Sequence, residues 1–186
     1  MEWRVPLADV KLGEEEEKAV LDVLRSAWLT MGQVTQSFED DLVAFTGARY
    51  AFALNNATAA LHLACLALGL GPGDEVIIPS LTFVATANAI RYTGATPVFA
   101  DIESEDWLCL CPHAIEEQIS ERTKAIMVMH YAGFPCDMPA IMRIAEERGL
   151  AVIEDAAHAI GASLEGKALG TWGDIGCYSF FGNKNM

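Results

Sequence analysis

The sequence predicts an α/β fold in three layers, in which a mostly parallel mixed sheet carries helices on both faces. Short apolar runs recur between residues 50 and 153. They lack the alternation of apolar and polar residues that is typical of a strand with one solvent-exposed face. Stretches with helical patterning separate these runs, and glycines follow most of the stretches. Polar residues come directly after several runs, at the sheet edge where ligands bind in such folds; they include Ser80, Asp101, His130 and Asp155.

Five apolar runs are predicted as strands, because each is too short for a helix and is bounded by turns or helical stretches. They span residues 50–54, 75–78, 96–100, 125–129 and 151–153. The connecting helices are predicted at residues 58–68, 82–92, 114–119 and 138–148. Two earlier helices are predicted near residues 14–27 and 34–46. Right-handed crossovers then place the loops after the strands along one edge of the sheet.

The charge balance of the chain is acidic. Lys plus Arg number 12 and Asp plus Glu number 26, which gives a formal net charge of −14. This field repels nucleic acids and anionic lipid surfaces, so we expect neither as a partner. Residues 1–6 lack the charged and apolar regions of a signal peptide, and no apolar run reaches the ~18 residues that a bilayer requires. The sequence therefore predicts a cytoplasmic protein.

The five cysteines have no regular spacing, which argues against a disulfide framework. Cys109, Cys111 and His113 form a C-x-C-x-H pattern, which leaves a metal-binding module as a remote alternative. No second ligand pair follows at zinc-site spacing, and Cys111 precedes a proline. We therefore expect reduced thiols and no metal site.

A carboxylate and a lysine suggest a specific chemistry. The apolar run 150–153 ends in Glu154 and Asp155, and a later aromatic loop ends in Lys184. Pyridoxal phosphate (PLP) chemistry needs a lysine amine that forms a Schiff base and an aspartate that keeps the pyridine nitrogen protonated. A strand-end aspartate can also cap a turn, and most lysines are solvated surface charges, so both interpretations stay open at this point.

Residues 55–61 pass from a predicted strand to a helix through small side chains. A helix N-terminus offers unpaired N–H groups and partial positive charge, which suit a phosphate, and Thr58 adds a hydroxyl. The alternative is that Asn56 simply caps the helix. Phe83 also allows two interpretations: it stacks on a flat cofactor ring, or it packs in the core. The sequence contains neither G-x-G-x-x-G nor a Walker A motif, so dinucleotides and nucleoside triphosphates are weak candidates.

Six motifs occur in an order and spacing that resemble a known family. They are WLT at 28–30, NATAAL at 56–61, PSLTF at 79–83, HYAG at 130–133, EDAAH at 154–158 and SFFGNK at 179–184. On these motifs the chain resembles the sugar aminotransferases of the DegT/DnrJ/EryC1/StrS family, which are PLP enzymes of fold type I. The resemblance implies an N-terminal arm at 1–13 and a PLP-binding large domain at 14–186. That domain is expected to be incomplete, with the C-terminal small domain absent.

The resemblance also implies the roles of individual residues. Lys184 would form the Schiff base and shuttle the proton, and Asp155 would pair with the pyridine nitrogen. The further cofactor-binding residues would be Thr58, Ala59 and Ser179 at the phosphate, Phe83 on the ring face and His158 at the ring's 3-oxygen. Many relatives carry glutamine at the position of His158.

The implied function is PLP-dependent transamination of a nucleotide-linked keto-sugar, with glutamate or a similar amino acid as the donor. The product would serve polysaccharide or glycoside biosynthesis, and a homodimer is expected because relatives work as dimers. Two alternatives stay open: a PLP-dependent lyase or dehydratase of the same fold, and a truncated, inactive remnant. Dehydratase relatives carry histidine in place of Lys184, which favours transamination.

Overall fold

The computed structural model describes residues 10–184, which divide into two compact units. The first contains residues 10–53 and 181–184, and the second contains residues 54–180. Of the arm predicted at 1–13, the first nine residues lie outside the described part of the chain.

The second unit is built on a five-stranded sheet in the order β2-β1-β3-β4-β7. Its strands are β1 (Glu75–Pro79), β2 (Thr96–Ala100), β3 (Thr123–Met129), β4 (Ala151–Asp155) and β7 (Ile175–Cys177). Every neighbouring pair in this sheet is parallel. A short antiparallel hairpin, β5 (Ser163–Leu164) with β6 (Lys167–Ala168), lies outside it. The predicted parallel sheet is thus confirmed.

Helices cover both faces of this sheet, which confirms the three predicted layers. They are α3 (Ala57–Ala67), α4 (Val84–Tyr92), α5 (Pro112–Gln118) and α6 (Met138–Arg148), with a 3-10 turn at Tyr131–Gly133. Ile78, Met127 and Ile153 pack in one buried cluster with α3 and α4. Their strand neighbours Ile77 and Ile126 pack in a second cluster with α5 and α6. Alternate side chains of one strand point to opposite faces, so two cores form around one sheet.

The prediction of a strand at 50–54 was wrong. The Ala53 N–H donates to the Glu39 carboxylate at 2.7 Å, and Tyr50 and Phe52 are 65% and 78% exposed. A strand needs a neighbour that pairs with its backbone groups, and no strand of residues 10–184 pairs with this segment. The helix predicted at 82–92 begins two residues late, at Val84, which leaves Thr82 and Phe83 in the loop after β1.

The first unit contains α1 (Glu14–Ser26) and α2 (Gln33–Thr46). Four glutamates open α1, where the helix dipole favours negative charge. The Glu16 carboxylate accepts the Gly13 N–H at 2.6 Å, and this bond lowers the pKa of Glu16. Within residues 10–184 we find no helix with the length and apolar character that a membrane span requires.

Candidate functional site

The carboxyl ends of four adjacent strands bring polar residues to one edge of the sheet. Ser80 follows β1, Asp101 follows β2, His130 follows β3, and Asp155 ends β4. The Ser80 hydroxyl donates to Asp101 Oδ1 at 3.4 Å, and the His130 N–H donates to the Asp155 carbonyl at 3.2 Å. The sequence had placed all four after strands, and the structure shows them at this common edge.

Asp155 is a buried carboxylate at this edge, with only 3% of its surface exposed. Its Oδ2 accepts the Thr86 hydroxyl at 2.9 Å, and its Oδ1 accepts the Ala157 N–H at 3.2 Å. Burial raises the pKa of Asp155, whereas these two bonds and the nearby His158 and His130 act in the opposite direction. A carboxylate held out of water in this way gains most from a cationic N–H partner.

Thr86 is a residue of this site that the sequence analysis missed. It is fully buried on α4, and its Oγ1 lies 2.7 Å from that of Thr82. Because the Thr86 proton is donated to Asp155, the Thr82 hydroxyl must donate to Thr86. The two threonines are four residues apart, a spacing that puts side chains on the same side of a helical turn, and this was the available signal.

Beside Asp155, the fully buried Glu154 anchors the loop that leads into β7. Its carboxylate accepts the N–H groups of Gly170 and Gly173, each at 2.7 Å, and lies 2.9 Å from His130 Nε2. His130 Nδ1 accepts the Cys136 N–H at 3.2 Å, so Nε2 carries the proton that is donated to Glu154. A charged residue inside a doubly covered strand needs buried partners, which was the sequence signal for this network.

We expect Glu154→Ala to destabilise the protein by about 3–5 kcal/mol, because it leaves the N–H donors of buried His130 and Gly170 and of half-buried Gly173 without their acceptor. Urea unfolding measures the change. Glu147→Ala, at an exposed position of α6, is the matched control and should stay within about 0.5 kcal/mol of wild type. Equal stability of the two variants would contradict the anchoring role.

The residues of the NATAAL motif form the start of α3. Asn56 caps the helix, since its Oδ1 accepts the Ala59 N–H at 2.8 Å. The first intrahelical bond runs from Ala60 N–H to the Asn56 carbonyl at 3.2 Å. Helix geometry therefore leaves the N–H groups of Ala57 and Thr58 for a ligand, beside the Thr58 hydroxyl. The Ala59 N–H is already engaged by the cap, so a phosphate would have to share or displace that bond.

Packing brings this helix end to the same edge as Asp155. Leu61 and Cys65 of α3 lie in one buried cluster with Ile153 of β4 and Cys177 of β7. A short loop joins the C-terminus of α3 to the start of β1, so the N-terminus of α3 points toward the carboxyl edge. Half-buried Thr58 and Ser179, which follows β7 by two residues, are thus placed at that edge.

The two predicted ring contacts differ in exposure. Phe83 is 66% exposed in the loop before α4. It is therefore not a core residue, and its ring is accessible to a ligand. His158 is half-buried: its Nδ1 accepts the Ala132 N–H at 3.3 Å, and its ring meets Tyr131 edge-on with centroids 6.4 Å apart.

Lys184 belongs to the first unit and is described with it. It is half-buried, and its backbone N–H donates to the Phe181 carbonyl at 2.8 Å, which closes a turn. A Cβ at Gly182 would lie 3.1 Å from Val10 Cγ2, so the turn is closely packed there. The role of Lys184 therefore rests on the SFFGNK motif.

The residues of the C-x-C-x-H pattern have different surroundings. Cys109 is buried and its Sγ donates to the Phe134 carbonyl at 3.3 Å, whereas exposed His113 pairs with Glu117 at 3.6 Å. In the described part of the chain, no group of three or more His, Cys, Asp or Glu side chains is arranged to hold a metal.

Comparison with known proteins identifies the family. The sequence model of the DegT/DnrJ/EryC1/StrS aminotransferase family matches residues 10–186. The chain belongs to this family. GDP-perosamine synthase of Escherichia coli O157:H7 is 46% identical over 183 residues, which are 98% of this chain and 50% of that protein. The chain thus spans about half the length of the curated relatives that it matches.

Solved structures of family relatives have the same fold. The putative sugar aminotransferase Spr1654 from Streptococcus pneumoniae, solved in PLP and PMP forms, matches with a TM-score of 0.94 and 32% identity, over 99% of this chain and 50% of that one. The protein DesI, solved in the presence of its TDP-sugar product, matches with a TM-score of 0.88 and 38% identity, over 96% of this chain and 45% of that one. The sheet is therefore that of fold type I PLP enzymes.

The cofactor of this family is PLP, and the described residues fit it. Asp155 supplies a buried acceptor for a ring N–H, and a carboxylate can accept about four hydrogen bonds, so a further donor can join Thr86 and Ala157. The N-terminus of α3 and the hydroxyl of Thr58 supply donors that suit a phosphate.

Proposed function

We propose that the whole protein containing this chain transfers an amino group from an amino acid such as glutamate to a keto-sugar carried on a nucleoside diphosphate. The observation that carries this proposal is the buried Asp155 carboxylate at the end of β4, held by Thr86 in a chain of this family. The nucleotide linkage is supported by the relatives, one named a GDP-perosamine synthase and another solved with a TDP-sugar product.

Each site residue has a proposed task. When bound, PLP supplies an aldehyde that captures amines and a ring that withdraws electrons. Asp155 would hold a proton on the ring nitrogen through its negative charge. Lys184 would attach the cofactor through Nζ and carry a proton to and from the α-carbon of the donor.

The other residues would bind and orient. Thr58 and Ser179, with the N–H groups at the start of α3 near Ala59, would hold the phosphate. Phe83 would lie on the ring face, and His158 would contact the 3-oxygen. The arm at 1–13, the large domain at 14–186, the homodimer and the cytoplasmic location stay predictions.

An amino-transfer assay tests the proposal. The whole protein, loaded with PLP, is incubated with ¹⁵N-glutamate and a set of GDP-, TDP- and UDP-linked keto-sugars. We expect 2-oxoglutarate to form in step with a ¹⁵N-labelled amino-sugar, both read by mass spectrometry. A deoxygenated sugar without label would indicate the dehydratase alternative, and no turnover with any of these substrates would contradict the proposal.

A further inference from the structure

We propose that Thr86, supported by Thr82, is a positioning residue that holds the Asp155 carboxylate as an oriented anion facing the cofactor's ring nitrogen. This inference rests on the proposed function, since it concerns the same site. It is carried by two contacts within the second unit, 2.9 Å from Thr86 Oγ1 to Asp155 Oδ2 and 2.7 Å between the two threonine hydroxyls.

The direction of the hydrogen bonds follows from the chemistry of the groups. A hydroxyl has one proton to donate, and an ionised carboxylate can only accept. Thr86 therefore donates to Asp155, and its oxygen is left to accept from Thr82. Successive bonds of this kind polarise one another, so the second hydroxyl strengthens the first bond.

Burial increases the contribution of the Thr86–Asp155 hydrogen bond. Thr86 is fully buried and Asp155 is 3% exposed, so water cannot replace a lost donor easily. Hydrogen bonds to charged groups are stronger than those between neutral groups. When such a bond is lost in a site without water, the charge keeps its full desolvation penalty. Thr86 lies on α4, where its neighbours Ala85 and Ala89 belong to the buried cluster, and a β-branched side chain in a helix has few χ1 rotamers.

The other groups around Asp155 do not supply this donor. His158 and His130 lower the pKa of Asp155 from two loops but donate no side-chain hydrogen bond to it, and Glu154 is engaged by Gly170, Gly173 and His130. Cys177 lies opposite Asp155 on β7, and burial raises the pKa of its thiol to about 12, so it stays neutral at ordinary pH. The Thr86 hydroxyl is thus the side-chain donor seen on Oδ2.

The test measures cofactor affinity rather than activity. The whole protein and its variants are titrated with PLP and with 1-deaza-PLP, an analogue in which a C–H replaces the ring nitrogen. Thr86→Val should weaken PLP binding about tenfold, which corresponds to the loss of one hydrogen bond to a charged group. The binding of 1-deaza-PLP should stay almost unchanged. Thr86→Ser, which keeps the hydroxyl, should restore most of the affinity for PLP, and Thr82→Val should weaken it by a smaller factor.

Thr93→Val is the matched control, since Thr93 caps α4 with a bond to the Ile90 carbonyl and should leave both affinities unchanged. If Thr86→Val weakens the binding of PLP and of 1-deaza-PLP equally, Thr86 is only a packing residue and the inference is overturned. The inference is also overturned if Thr86→Val binds PLP with the affinity of wild type. A wild-type protein that binds neither compound would overturn the proposed function as well, which separates the two failures.

Discussion

Replacing Lys184 by alanine is expected to abolish the visible absorbance band of the lysine-bound cofactor and to lower amino transfer by about 10³-fold or more. The alanine variant loses both the amine that attaches PLP and the group that moves the proton, and a positioned acid or base alone contributes about 10²–10⁴-fold. Absorbance spectra and stopped assays of the whole protein measure the two effects.

Lys18→Ala is the control for this experiment, because Lys18 lies on the exposed surface of α1 in the same unit as Lys184. Its spectrum and rate should match those of wild type. If the band survives in Lys184→Ala, another residue holds the cofactor and the assignment from the SFFGNK motif is wrong.

Replacing Asp155 by asparagine is expected to lower the turnover number by about 10²–10³-fold without loss of the fold. Removing one preorganised electrostatic partner of a reacting charge typically costs this much. The asparagine carbonyl can still accept the Thr86 hydroxyl, but the amide NH2 cannot accept the Ala157 N–H. The neutral amide avoids the cost of burying a charge, which raises the pKa of Asp155, so the melting temperature should stay near that of wild type.

Steady-state kinetics and thermal unfolding check both halves of this prediction. Asp106→Asn, at an exposed position of the loop after β2, should change neither quantity. Turnover of Asp155→Asn near that of the control would refute the role of Asp155, and a collapse of stability would show that the carboxylate is structural.

The sheet and its edge could be predicted because their signals are local in the sequence. Apolar runs without alternation predicted β1 to β4 within two residues, and Gly149 marked the end of α6. The order of strands and loops then placed Ser80, His130 and Asp155 at one edge. Local patterns report burial and turns, and parallel topology converts them into positions.

The contacts that set the electrostatics of the site were not predictable in this way. Thr86 and Asp155 are 69 residues apart, and nothing near either one indicates the other. The Glu154 carboxylate accepts N–H groups 16 and 19 residues later in the chain, from two glycines of a loop that has no periodic pattern. The false strand at 50–54 has the same origin, because strand propensity says nothing about whether a neighbouring strand is present.

The most direct test of the central claim is to fix the cofactor chemically and locate it. The whole protein is loaded with PLP, reduced with borohydride, digested and mapped by mass spectrometry. The account predicts one phosphopyridoxyl group, on Lys184. A group on any other lysine, or none at all, would contradict it.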